Sequence, residues 1–387
     1  MDVRRSSIPM ASAISRLLNG LRKPLALRTG PGISTISTNA SAWLDALRVF
    51  LLAQVVLGHL AYIALPEIPH LTGRDGAFRI FVIVFRLTTR FGPQAACVFV
   101  VLSGFLVGGP LFAKAINGDR MAFNEFARRR LIRVAPALWI ALGLSACLDL
   151  TATLGFGAAE TYAHQRTYNF FAAMTLKNFL GNFLCLEPTF VSVFGSNGPL
   201  WTLGYIVQFY LAGFVLSNAI AVRARWSLAA ATGGFLATAL FRPEWTALFS
   251  IWCLGAVVRN VVFGEQLGGM KLAVGIAFFV AANRGPSLLS ILVCGVGGAV
   301  ILDWARTTAA AAPQGCFERV ASISYEAYAV HFPIAFFISA TLFRAPAHET
   351  ATFVLFVASS LLAIWTLSVV VKRVAGRVST CFERVAS

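Results

Sequence analysis

The sequence predicts an all-α, polytopic integral membrane protein of about ten transmembrane helices, and three observations carry that prediction. Hydrophobic residues make up 58% of the 387 positions and charged residues only 12%, with a mean hydropathy of +0.75, far from the balance of a soluble domain. Apolar runs long enough to cross a hydrocarbon core, about 20 residues each as helix, recur along the chain. Lys and Arg collect between particular runs, as they do in the loops a bilayer keeps on its cytoplasmic side.

The runs lie near residues 43–66, 91–112, 134–157, 198–222, 226–242, 245–263, 270–283, 286–305, 322–343 and 350–371. The seventh is short, and the stretch from Phe78 to Leu87 extends the second or adds a span, so nine to eleven crossings fit. Lys114, Arg120, Arg128, Arg129, Arg130 and Arg133 follow the second run, and Lys372, Arg373 and Arg377 follow the last. That asymmetry places both termini in the cytoplasm and makes Thr161 to Asn197 the largest outward-facing loop. The domain reading is then a basic cytoplasmic tail over residues 1–40, a transmembrane domain over 41–372 and a short cytoplasmic tail over 373–387. The first forty residues have a Ser- and Arg-rich composition that an organellar transit peptide shares, but positive-inside topology already accounts for the arginines.

The net charge of +16 is therefore topological, and nucleic acid is not expected as a partner. Seven cysteines are scattered without a C-x-x-C spacing and predict neither a disulfide framework nor a metal site. Phosphate-loop, dinucleotide-binding and H-E-x-x-H patterns are missing. The heptapeptide CFERVAS occurs at 316–322 and again at the last seven residues, and nothing in the sequence accounts for it.

The first run carries the chemistry. In LDALRVFLLAQVVLGH (44–59), Arg48 sits at the boundary and His59 lies past the midplane among apolar residues. Eleven residues at about 100° each bring both to nearly one helix face, roughly 16 Å apart along the axis. An ionisable group at that depth faces a cavity or hydrogen-bonds to another helix as a neutral ring, and the same-face arginine favours the cavity.

These residues resemble the acyltransferase-3 family of membrane O-acyltransferases, the enzymes that decorate bacterial surface polysaccharides, over nearly the whole chain. LDALRVFLLAQVVLGH is similar to that family's opening span, and VFVVLSGFLVG (98–108) to its second-span signature around Ser103 and Gly104. RRRLIRVAPALW (128–139) resembles its arginine-rich entry to the third span, GPLWTLGYIVQFY (198–210) its tryptophan motif, and SISYEAYAVHFPI (322–334) its late tyrosine and histidine motif. The resemblance implies an O-acetyltransferase of the bacterial inner membrane. It implies acyl-coenzyme A, acetyl-CoA above all, as co-substrate, and a hydroxyl of a surface polysaccharide or its lipid-linked precursor as acceptor. Ser103, Trp201, Tyr325, Tyr328 and His331 are then the candidate acceptor-binding residues, although Trp201, Tyr325 and Tyr328 each fit plain packing as well.

One departure matters. The family's tryptophan motif places a glutamate where this chain has Ile206. Another acid could substitute, and Asp149, about 22 Å into the third span, sits at a depth comparable with His59, about 24 Å into the first. Asp149 otherwise marks the outer end of its helix. Arg48, Arg129, Arg130 and Arg133 serve topology or hold the phosphates of the donor; the four arginines crowded at the third span's entrance, Arg128, Arg129, Arg130 and Arg133, exceed what orientation needs. His59 is expected to take the acceptor's proton or to carry the acyl group itself, with Asp149 as its partner. The competing readings are a flippase for lipid-linked glycans, whose pathways also use buried ionisable groups, and a family member impaired by Ile206.

Overall fold

The computed structural model describes residues 36–71, 75–163, 169–261, 267–282, 287–313, 315–343 and 349–385. The basic tail expected over residues 1–40 lies outside them up to residue 35. Every regular element among the described residues is helical. Among the described residues seven helical stretches are long and apolar enough to cross a membrane: Thr38–Ala64, Gly76–Ile116, Phe123–Gly155, Gly198–Val222, Leu288–Thr307, Ser324–Phe343 and Thr350–Glu383. The other three expected runs form helices of 17, 18 and 14 residues, Arg225–Phe241, Pro243–Asn260 and Gly268–Ala281.

Helix α1 (Thr38–Ala64) is capped by the Ser37 hydroxyl, which accepts from the Ala40 N–H. Its far end is closed by Arg86 of α2 (Gly76–Thr89), whose guanidinium donates to the carbonyls of Leu65 and Pro66 at 2.6 and 3.0 Å. Helix α3 (Gly92–Ser103) then returns antiparallel against α1, passes through a π-helical turn at Gly104–Gly108 and ends in α4 (Gly109–Ile116). The turn is where α3 crosses α11 (Pro243–Asn260). A Cβ at Gly104 would stand 1.8 Å from the Trp252 carbonyl oxygen, so only glycine permits that approach.

Helix α5 (Phe123–Leu150) and helix α15 (Ser324–Ile338) both contain an internal proline, Pro136 and Pro333. Each removes the N–H that would have reached the carbonyl four residues back. The protein supplies replacements from elsewhere: the Ser379 hydroxyl donates to Ile132 O at 2.8 Å, and the Asn197 amide donates to Ala329 O at 2.9 Å. The second contact ties the start of α9 (Trp201–Val222) to α15 beside the site.

Residues 161–197, expected as an outward-facing loop, are partly built into the bundle. Short helices α6 (Ala159–Ala163), α7 (Phe170–Ala173) and α8 (Leu176–Phe183) lead to a stretch whose Glu187, Ser196 and Asn197 are fully buried. Asn182 folds it, donating to Ser192 O and accepting from Phe194 N–H at 2.8 and 3.1 Å. Gln208 of α9 clamps it by donating to Cys185 O and Glu187 O, both at 3.1 Å. Polar backbone can sit this deep only when matched in this way.

The remaining helices, α10 (Arg225–Phe241), α12 (Gly268–Ala281), α13 (Leu288–Thr307) and α14 (Cys316–Ala321), complete the bundle. Lys271 and Arg306 share the buried Asp303 at 2.7 and 2.9 Å, so the buried carboxylate is paired twice and the cluster keeps one net positive charge. The last helix, α16 (Thr350–Val385), runs 36 residues, about 54 Å, so residues 373–385 of the expected tail continue the helix.

Candidate active site

α1 and α15 run side by side, and their contact sets two histidines against each other. His59 Nδ1 lies 2.9 Å from His331 Nε2, and the rings stack with centroids 5.1 Å apart. His331 is 1% exposed, whereas His59 is partly exposed. The Phe332 ring meets His59 edge-on at 5.2 Å. His331 Nδ1 lies 2.7 Å from the carbonyl oxygen of Tyr328, one turn earlier. Among the described residues His59 makes no other hydrogen bond or ring contact, so its Nε2 carries no hydrogen-bond partner there.

Tyr328 faces two ways. Its ring lies 5.6 Å from that of His331, and it also lines a cavity of about 420 Å³. Its hydroxyl is held by Thr202 at 2.5 Å and by Pro199 O at 3.2 Å, both at the start of α9. Three arginines open into the same cavity: Arg48 of α1, and Arg130 and Arg133 of α5. Arg48 is paired with Asp45 at 2.7 Å, one turn back on its own helix. Arg130 lies over the Tyr210 ring at 5.8 Å, with its Nε buried and without a hydrogen-bond partner. Serines 322 and 324, Tyr325 and Glu326 line the wall made by the start of α15, a helix end whose Ncap, Ile323, supplies no side-chain cap. The exposed backbone amides of such an end favour an anion.

The residues singled out in the sequence divide accordingly. His59 and His331 are brought together; Arg48, Arg130, Arg133, Ser103, Tyr325 and Tyr328 share the cavity. Ser103 receives the Trp252 indole N–H and donates to the Tyr210 hydroxyl, both at 3.3 Å, and the Tyr325 hydroxyl donates to Val134 O. Arg129 stands apart. It is exposed and pairs with Glu125 one turn back, the i to i+4 spacing that a helix surface favours. Trp201 packs against Tyr205 at 5.8 Å and is not among the residues lining the cavity.

Asp149 does not meet His59 as expected. Its two oxygens accept from the backbone N–H and the hydroxyl of Ser196, at 2.8 and 2.7 Å, and the Gly195 backbone closes over one of them. Depth alone had suggested the pairing; the direction of each side chain around its helix decides otherwise. Residues the sequence reading passed over include Asn197, which donates to Ser145 Oγ and Ala329 O, and Thr202. The signal for Asn197 was present in Pro333, which strips Ala329 O of its helical partner. Ile206, the departure from the family's pattern, lines the arginine cavity.

Fold and site together define a multi-pass membrane protein with a histidine pair buried behind a basic cavity. A family model described as an acyltransferase domain matches residues 41–369, and the chain belongs to that family, the acyltransferase-3 proteins; it is a membrane acyltransferase. No curated protein and no solved structure matches the chain.

Proposed function

We propose that this protein transfers an acyl group, most simply acetyl, from acyl-coenzyme A to a hydroxyl of a surface polysaccharide or its lipid-linked precursor. The observation that carries the reading is that Tyr328 links the two parts of the site: it lines the three-arginine cavity, and its ring meets that of His331, the partner of His59. Arginine forks and a helix N-terminus suit the phosphates of a coenzyme A, and in this reading its thin pantetheine arm would have to pass Tyr328 to reach His59. In this reading the chain sits in the bacterial cytoplasmic membrane with both termini and the basic cavity on the cytoplasmic side.

A sugar hydroxyl attacks a thioester only as its proton is removed. His59 takes that proton as the new C–O bond forms; the C–S bond breaks, and the departing thiolate recovers the proton. In a two-step variant His59 attacks first, expels the thiolate to form an acyl-imidazole and passes the acyl group to the hydroxyl, whose proton goes to the thiolate. Because His331 already partners His59, the acid missing at position 206 is not required for that role. Ile206 instead leaves Glu326 as the carboxylate lining the arginine cavity, where a glutamate at 206 would add a second to compete with phosphate.

The test is proton NMR of surface glycan from a strain lacking the gene and from one restored with wild type or His59→Ala. O-acyl signals lost on deletion, regained with wild type and not with an inserted, accumulating His59→Ala support the proposal. Wild-type levels of modification in the variant would remove His59 from the chemistry.

A further inference from the structure

The hydrogen bonds around the two histidines fix where their protons sit. A backbone carbonyl only accepts, so His331 Nδ1, 2.7 Å from Tyr328 O, carries a hydrogen. Among the described residues the hydrogen bonds and ring contacts of these two rings involve no carboxylate, and an imidazolium at this depth in a membrane would be uncompensated, so both are neutral. A neutral imidazole has one N–H, which leaves His331 Nε2 as an acceptor. His59 Nδ1, 2.9 Å away, must then be the donor. The remaining ring nitrogen of His59, Nε2, keeps its lone pair and has no partner among the described residues.

We propose that His331 is a positioning residue that locks His59 in the Nδ1–H form, so that Nε2 is the nitrogen that takes the acceptor's proton. The proposal rests on the acyl-transfer reading for its chemistry, but the tautomer itself is a property of the resting protein. In the reaction the hydroxyl proton moves to His59 Nε2 while the acceptor oxygen bonds the thioester carbon and the C–S bond breaks. The positive charge on His59 is met by His331 Nε2 through the Nδ1–H bond. That bond strengthens as His59 becomes charged, and the His331 N–H bond to Tyr328 O strengthens with it. The thiolate then takes the proton from Nε2, and both rings return to their starting forms. A lone pair on a neutral ring thus does for His59 what a carboxylate does in other histidine sites.

The experiment is solid-state NMR of histidine ring nitrogens in full-length, isotope-labelled protein in lipid bilayers, with the five histidines of the chain assigned by single substitutions, alongside steady-state kinetics. Wild type is expected to show His59 protonated at Nδ1. His331→Gln, whose amide oxygen can still accept, should keep that form and much of the turnover. His331→Leu should lose the form and drop kcat by roughly 100-fold or more, the scale of general-base catalysis, with KM little changed. His59 protonated at Nε2 in wild type, or full kcat in His331→Leu, overturns the proposal. A wild type with the expected tautomer but no acyl transfer to any hydroxyl leaves His331's role in positioning intact and overturns the functional reading instead.

Discussion

Replacing Asp149 separates a structural acid from a chemical one. Asp149 is fully buried and accepts from the N–H and the hydroxyl of Ser196, itself fully buried. Asp149→Ala leaves both donors without an acceptor, at about 1–3 kcal/mol each, so the fold should lose roughly 2–6 kcal/mol. Asp149→Asn should lose less, since its amide oxygen keeps one donor and the Ser196 hydroxyl can turn to accept from the amide nitrogen. The loss should fall on residues 195–197, where Asn197 braces Ser145 and Ala329 beside the histidine pair. Thermal unfolding in detergent, followed by tryptophan fluorescence, measures stability; turnover is then expressed per folded molecule. Asp149→Asn is expected to unfold earlier while its folded fraction turns over near the wild-type rate. If it instead unfolds like wild type and loses roughly 100-fold or more in kcat, the size of effect expected from removing an acid–base partner, Asp149 acts in the chemistry and its assignment to Ser196 is incomplete.

The cavity and its surroundings yield three further expectations. Arg130→Gln with Arg133→Gln should weaken acyl-coenzyme A binding in purified protein by about 10-fold or more, with a shallower salt dependence, whereas Arg129→Gln should bind like wild type because Arg129 points at Glu125; equal losses in both variants would reduce the cluster to a topology signal. Ile206→Glu should weaken the same binding by placing a carboxylate among the arginines and should not rescue Asp149→Asn; tighter binding or rescue would show that the two positions serve one site. Glu187, in the loop between spans and with neither carboxyl oxygen hydrogen-bonded among the described residues, has its pKa pushed up to about 8 by burial. Unfolded, the same carboxyl releases its proton near 4.5, so between about pH 4.5 and 8 the folded state holds the extra proton and stability falls as pH rises, by at most about 1.4 kcal/mol per pH unit; Glu187→Gln should flatten that slope in unfolding curves, and an unchanged slope would refute the cause.

The sequence made the membrane class and the family legible because both are written in one dimension. A bilayer requires unbroken apolar runs, and family motifs recur in a fixed order. The place of His59 along its helix was legible for the same reason, since distance along a helix is residue count times rise. The arginine cluster could not be sorted by spacing: Arg133 stands three from Arg130 and four from Arg129, so both share its face by count, and only the fold puts Arg130 in the cavity and Arg129 on Glu125. What the count could not supply was azimuth across helices. Asp149 and His59 share a depth, yet α5 aims its acid at Ser196 and α15 delivers His331 to His59 instead.

That difference changes what the substitution at position 206 means. Judged by motif alone, Ile206 removes an acid from the chemistry and calls for a replacement. In the folded protein Ile206 faces three arginines, and the residue that meets His59 is a histidine whose own ring is fixed by a backbone carbonyl. Charge is thereby divided between two places: cations gather in the cavity, where a phosphate-bearing donor would supply the counter-charge, and the histidine pair stays neutral until a proton arrives. A carboxylate beside the pair would raise the basicity of His59 but would also hold its proton after transfer, whereas a neutral acceptor lets the thiolate reclaim it. In the proposed reaction the neutral arrangement suits a base that must be emptied once per turnover inside a membrane, where a lasting imidazolium is costly.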